Sequence, residues 1–150
     1  MKHTPKLIII LIIFTFIYSC KKSGSSSGSI NGTWYLTRDS VKYYTGSTLT
    51  AVIGTAYSRI YSIQFNANGT GSLRTDTIAG SLSFNYKLSG SNLTLTYPAQ
   101  TYDGRSQVAS ADTAGIGLLT SSNLELIYKG VLYNVNGGPG AYESDIYYSK

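Results

Sequence analysis

The sequence predicts an all-β domain: an antiparallel up-and-down barrel of eight strands, within a range of seven to nine, with a β-sandwich as the alternative. Three observations lead there. After residue 30 apolar residues alternate with polar ones, the interruptions are clusters of Gly, Asn, Ser and Asp, and no window beyond the N-terminal apolar run carries a helical period. Alternation puts every second side chain on one face of a pleated strand, so such a chain buries one sheet face, and closing the sheet removes its exposed edges.

Thr33 to Tyr44 reads as a long first strand with Trp34 and Leu36 on one face. Arg59 to Asn66 puts Tyr61, Ile63 and Phe65 on one side. Asn66-Ala67-Asn68-Gly69 tolerates positive φ and gives a hairpin signal leading into a strand over Thr70 to Thr77. Leu82, Phe84, Tyr86 and Leu88 alternate with Ser83, Asn85 and Lys87, and Ser89-Gly90-Ser91-Asn92 turns the chain into Leu93, Leu95 and Tyr97. Pro98 has no N–H to donate and should end that strand. Tyr102 to Ala114 is weakly patterned and is expected as a long loop, followed by a short strand over Gly115 to Thr120. Asn123 to Lys129 reads as a strand with Leu124, Leu126 and Tyr128 inward. Gly137-Gly138-Pro139-Gly140 reads as a loop, and Ser144 to Tyr148 as the last strand.

The N-terminus is different in kind. Lys2 and Lys6 precede an apolar run from Leu7 to Tyr18, then Ser19-Cys20-Lys21-Lys22 and a Gly/Ser tract from Ser23 to Ser29. A basic segment followed by about a dozen apolar residues has the build of a secretory signal, too short for a hydrocarbon core that needs roughly 20. Ile17-Tyr18-Ser19-Cys20 resembles the lipobox of bacterial lipoproteins: Ser19 is the small residue wanted before the cysteine, whereas Tyr18 is bulkier than the usual occupant. The resemblance implies cleavage before Cys20, a diacylglycerol on its thiol and a third acyl chain, such as palmitate, on its amine. A plain signal cleaved near Ser19 and an uncleaved anchor are the alternatives. The expected organisation is a signal over 1–19, a lipidated cysteine and flexible linker over 20–29, and one domain over 30–150. The expected location is the bacterial cell envelope, with the protein held by its lipid in the outer membrane and facing the periplasm. The Lys21-Lys22 pair favours anionic headgroups there.

Charge and residue inventory exclude several function classes. The formal charge of +5 falls to +3 without Lys2 and Lys6 and to about +1 without Lys21 and Lys22 as well, so the basic excess belongs to the tether. No basic stripe points to nucleic acid. His3 is the single histidine and Cys20 the single cysteine, so the processed chain is expected to hold no histidine, free thiol or disulfide. A serine nucleophile then has no visible base, zinc has no ligands, and the Asp spacing fits no calcium loop. The seven acids fall mainly at turns or outward positions. No catalytic residue, metal or cofactor is assigned, and the chain is expected not to be an enzyme.

Ile30-Asn31-Gly32-Thr33-Trp34 resembles the Gly-x-Trp opening of lipocalins. Phe65-Asn66-Ala67-Asn68-Gly69-Thr70 resembles the Phe-x-x-(Asp/Asn)-Gly-Thr hairpin of small lipocalin-like domains in bacterial lipoproteins. Tyr86, Leu88, Gly90, Leu93 and Leu95 fit the Tyr-x-Leu-x-Gly-x-x-Leu-x-Leu pattern of that group. The resemblance implies an eight-stranded barrel with Trp34 as a structural plug at its closed end. Leu36, Phe65, Phe84, Leu95 and Leu126 would line it around a small apolar or amphipathic ligand. Alternatively those side chains fill the barrel, and its tyrosine-bearing outside meets an envelope protein or glycan. Oligomeric state is left open. Asn31, Asn68 and Asn92 head Asn-x-Thr sequons that read as turn chemistry. Asp39-Ser40-Val41, Asp76-Thr77-Ile78 and Asp112-Thr113-Ala114 resemble periplasmic O-glycosylation sites, with chance as the alternative.

Overall fold

The computed structural model describes residues 28–74, 80–102, 104–134 and 138–150, and they are all-β. The lipobox with Cys20, and the Asp76-Thr77-Ile78 motif, lie outside the described residues. Eleven strands follow in order: β1 Gly32–Thr45, β2 Thr48–Ala56, β3 Ser62–Phe65, β4 Thr70–Arg74, β5 Leu82–Ser89, β6 Asn92–Tyr97, β7 Gln100–Tyr102, β8 Arg105–Gln107, β9 Ser110–Leu119, β10 Asn123–Asn134 and β11 Gly138–Ser149. Eight of them close a barrel in the order β1, β3, β4, β5, β6, β9, β10, β11, with β11 returning to β1. The extra strand β2 lies on β1, and β7 with β8 forms a separate hairpin.

Two sequence expectations need correction, and one strand was not expected at all. Tyr102 to Ala114 is not a long loop, because it contains the β8 arm of the small hairpin and the first half of β9, whose Ser110 to Gly115 pair with β6. Gly138 to Gly140 belongs to β11 and pairs with β10, so the final strand starts well before Ser144. Thr48 to Ala56 is a strand for which the sequence gives no expectation.

Turn chemistry follows the residues. The β3–β4 hairpin closes with Gly69 at φ 82°, a conformation that favours glycine, while Asn68 Oδ1 accepts from the Thr70 N–H at 3.2 Å. Pro98 ends β6, leaving Ser83 on β5 without a ladder partner on that side. The Gln100 amide replaces it, donating to the Ser83 carbonyl at 2.9 Å and accepting from the Ser83 N–H at 3.0 Å. The backbone accounting is closed by a side chain that imitates a strand.

Ile30, just before β1, joins Trp34, Ile63, Phe65, Phe84, Leu93, Leu95, Leu119, Leu124 and Leu126, from the inward phase of their strands, in one buried core. Trp34 is fully buried, and its indole donates to the Ile30 carbonyl at 2.6 Å. Lys150 Nζ lies 4.3 Å from its ring centroid, so the N-terminal entry and the C-terminal residue meet over the same side chain. At the other end the walls are unequal. β3 pairs β1 only over Gly32 to Tyr35, and β9 pairs β10 only over Leu124 to Ile127. Beyond those limits β10, β11, β1 and β2 continue as a four-stranded apron.

Candidate functional site

The five side chains expected to line the interior separate into two groups. Phe65, Phe84, Leu95 and Leu126 are sealed in the core, with Phe65 and Phe84 in edge contact at 5.6 Å between centroids. A side chain facing a ligand cavity keeps surface toward it, and these keep almost none. They fill the base of the barrel. Leu36 is half-buried and packs on the core from above, as do Ile146 and Tyr128.

Above that floor the inward phase brings in tyrosine. Tyr97 follows Leu93 and Leu95 on β6 and Tyr128 follows Leu124 and Leu126 on β10, while Tyr148 on the antiparallel β11 stands lower, opposite Leu124 and Leu36. Tyr97 and Tyr148 are 8% and 9% exposed. Burial pushes the Tyr97 phenol up to about 12, with the Asp112 carboxylate adding to the shift. Burial likewise raises Tyr128, helped by Tyr97 and Asp112, and raises Tyr148, helped by Tyr128 and Tyr97. Tyr97 thus acts on Tyr128, and both act on Tyr148, so the three phenols lie within electrostatic reach of one another, with Asp112 of β9 near Tyr97 and Tyr128. The desolvated phenols stay neutral and act as donors at physiological pH.

None of these three hydroxyls has a hydrogen-bond partner among the described residues, where Asp145 Oδ1 is the sealed polar atom without one. These hydroxyls are therefore not sealed, and water can reach them. Tyr86 and Tyr57 show the contrast. Tyr86 Oη lies 2.6 Å from the Asn66 carbonyl, and Tyr57 donates to Asp39 at 3.0 Å. Tyrosine was the missed signal: Leu-x-Leu-x-Tyr recurs at Leu93 to Tyr97 and Leu124 to Tyr128, with a phenol where the phase calls for an aliphatic residue.

A depression of about 400 Å³ opens on the outer face of β3, β4 and β5 against Gln64, Asn66, Ser72, Ser83, Asn85 and Pro98. Its lining is uncharged and mixed, with amide and hydroxyl groups beside Gly71, Phe84 and Pro98. The described acids are engaged or dispersed: Asp39 accepts from the Thr55 N–H and Tyr57, and Glu143 and Asp145 pair with lysines. Asp145, expected to point outward, is on the outer phase but only 3% exposed. Among the described residues no group of three metal-ligating side chains occurs. Ser40 is half-buried on β1, and Thr113 is exposed on β9 with its hydroxyl 3.3 Å from that of Thr94.

Residues 30–126 match the family model of the lipocalin-like domain. The chain belongs to the lipocalin-like domain family. No curated protein and no solved structure matches it. The matched span stops within β10, yet this lipocalin-like domain is closed by β11, which pairs with β1 from Tyr35 to Thr45. Two of the three phenols, Tyr128 and Tyr148, thus come from the part of the chain beyond the family match.

Proposed function

We propose that the chain is a lipid-anchored, non-catalytic binding protein of the bacterial cell envelope, held in the outer membrane and facing the periplasm. Its barrel takes a small amphipathic molecule, with the apolar body against Leu36 and Ile146 and an acceptor oxygen at the hydroxyls of Tyr97, Tyr128 and Tyr148. The observation that supports the reading is that the hydroxyls of these three phenols, which lie within electrostatic reach of one another, have no hydrogen-bond partner among the described residues. An acceptor oxygen of the ligand would take the place of water at these hydroxyls. The anchor reading rests on Ile17-Tyr18-Ser19-Cys20. Acyl chains on Cys20 would hold the domain stably, and the ten-residue tether from Cys20 to Ser29 would reach at most about 35 Å.

Native mass spectrometry of protein taken from its own membrane tests both parts. The expected spectrum shows acyl mass on Cys20 and a retained small molecule that the Tyr97→Phe, Tyr128→Phe, Tyr148→Phe triple variant loses. A mature N-terminus elsewhere without acyl mass removes the anchor. Wild type without an adduct, and with the triple variant's affinity for a fluorescent amphipathic probe, removes the ligand. The outer depression favours a second reading, in which the domain contacts an envelope glycan through its uncharged amide and hydroxyl rim.

A further inference from the structure

β2 has an unusual environment for a nine-residue strand, since every one of its residues is exposed. Leu49, Val52 and Ile53 are 50%, 56% and 57% exposed. Ile53 and Ala51 stand opposite Val41 and Tyr43, on the inner face of the apron, while Val52 stands opposite Lys42 on the outer face. Neither face is covered. One edge pairs with β1, and the other has no strand beside it among the described residues. Ordering a backbone residue costs about 1–2 kcal/mol, and a strand that buries neither face recovers little of that through a single ladder.

The usual guards of a free edge are missing. Thr48 to Ala56 contains no Lys, Arg, Asp, Glu or Pro. The irregularity in the β1 register falls at Tyr43 and Tyr44, near the hairpin end, leaving Ala51 to Ala56 in unbroken register. The other free edge of the apron, β10 past Ile127, does carry a guard in Lys129.

We propose that two copies of this chain join through β2, antiparallel and edge to edge, about a two-fold axis normal to the apron. Opposed residues of an antiparallel pair share a face. Pairing centred on Val52 sets Ala51 of each copy against Ile53 of the other, inner face to inner face, and Val52 against Val52 on the outside. Charge distribution favours a second copy in this orientation. Arg38 and Asp39 flank the Ala56 end of β2, and Tyr44 and Thr45 flank the Thr48 end. The two-fold sets the charged end of one copy beside the uncharged end of the other, so no like charges meet. The interface is isologous and closed, and its product is an eight-stranded sheet made of two aprons. It is independent of any ligand in the barrel.

The full-length chain in detergent, carrying Val52→Cys, tests the pairing against Leu88→Cys, an exposed position on β5 of the barrel wall. Both variants keep Cys20, so its contribution cancels. Mild oxidation is expected to give at least tenfold more disulfide-linked dimer from V52C than from L88C. Separately, Val52→Lys should weaken dimerisation at least tenfold in sedimentation while the circular dichroism spectrum stays that of wild type. Equal cross-linking of V52C and L88C, an unchanged association constant for V52K, or open-ended growth with concentration would each overturn the closed β2 dimer.

Discussion

Lys42 Nζ on β1 lies 2.6 Å from Asp145 Oδ2 on β11, reaching diagonally past Glu143, its direct register partner, at 2.9 Å. Lys129 on β10 holds the other Glu143 oxygen at 2.9 Å, so four charges run across three strands at the base of the apron. The two carboxylates hold the Lys42 ammonium well above its ordinary value, and the lysines hold Glu143 below its own. Asp145 is buried with one oxygen unpartnered, so its charge is compensated chiefly by Lys42. Removing that ammonium strands a buried carboxylate, whereas removing the carboxylate frees an ammonium that can turn to water. Lys42→Met should therefore lower the urea midpoint more than Asp145→Asn does. Equal midpoints would show that the pair contributes no asymmetric burial cost.

The same row gives an acid-side dependence. Glu143 is depressed, so the unfolded state takes up its proton first as pH falls, and the stability present above the unfolded carboxylate value is lost as pH drops through the folded one. Glu143→Gln should flatten the decline in denaturation midpoint below about pH 4.5, the ordinary glutamate value. A decline of unchanged steepness would place the acid sensitivity elsewhere.

Gly71 faces inward on β4, opposite Phe65 and Phe84. A β-carbon there would run into the Phe84 ring and the Gln64 carbonyl, and neither can yield without moving the barrel wall. Gly71→Ala should cost about 1–3 kcal/mol, read as a lower midpoint with unchanged m-value. Gly90→Ala probes a different effect: that turn has φ 59° and open space around it, so its cost is backbone strain without a clash.

Trp34 reports on the closed end without competition, because it is the single tryptophan. Its emission should be blue-shifted, as expected for a fully buried indole, and Trp34→Phe should cost about 3 kcal/mol through lost volume and the lost bond to Ile30. Lys150→Met removes the cation over the ring at a cost of roughly 0.5–1 kcal/mol. Emission already at the wavelength of free tryptophan in the native protein would contradict the plug.

How much of this was legible depends on whether burial is one-sided. The β5–β6 hairpin could be read from Leu82 to Tyr97 because one face packs on Phe65 while Ser83, Asn85 and Thr96 meet solvent. β2 could not, because Thr-Leu-Thr-Ala-Val-Ile-Gly-Thr-Ala buries neither face and its alternation carries no inside or outside. The start of β9 was hidden for a related reason: Ala114 is its first buried residue, so Ser110 to Thr113 look like loop. The burial of Asp145 depends on Lys42, about a hundred residues earlier in the chain, and only the barrel-closing β1–β11 ladder brings them together. The tyrosine site was half-visible, since the phase of Tyr128 is inward from sequence, but its proximity to Tyr97 and Tyr148 needs the closed barrel.

Those tyrosines set the alkaline limit of the fold. In the unfolded chain a phenol ionises near its ordinary value of 10.0, whereas in the folded barrel Tyr97 holds its proton to about 12 and Tyr128 and Tyr148 are raised as well. Above the unfolded value the unfolded state has lost protons that the folded state retains, so stability is complete below about pH 10 and falls as pH rises toward the folded values. Each such phenol removes about 1.4 kcal/mol per pH unit in that window, roughly 4 kcal/mol per unit for three, a large part of the stability of an ordinary domain. Absorbance at the tyrosinate band should therefore rise in two stages, exposed tyrosines first and then a cooperative step coinciding with loss of the β-sheet circular dichroism signal. In the triple phenylalanine variant the second step should vanish and the sheet signal should survive to higher pH. A ligand bound at the hydroxyls would delay the step in wild type and leave the variant unchanged, whereas a single smooth titration of every tyrosine near pH 10 would show that the barrel interior is open to bulk water.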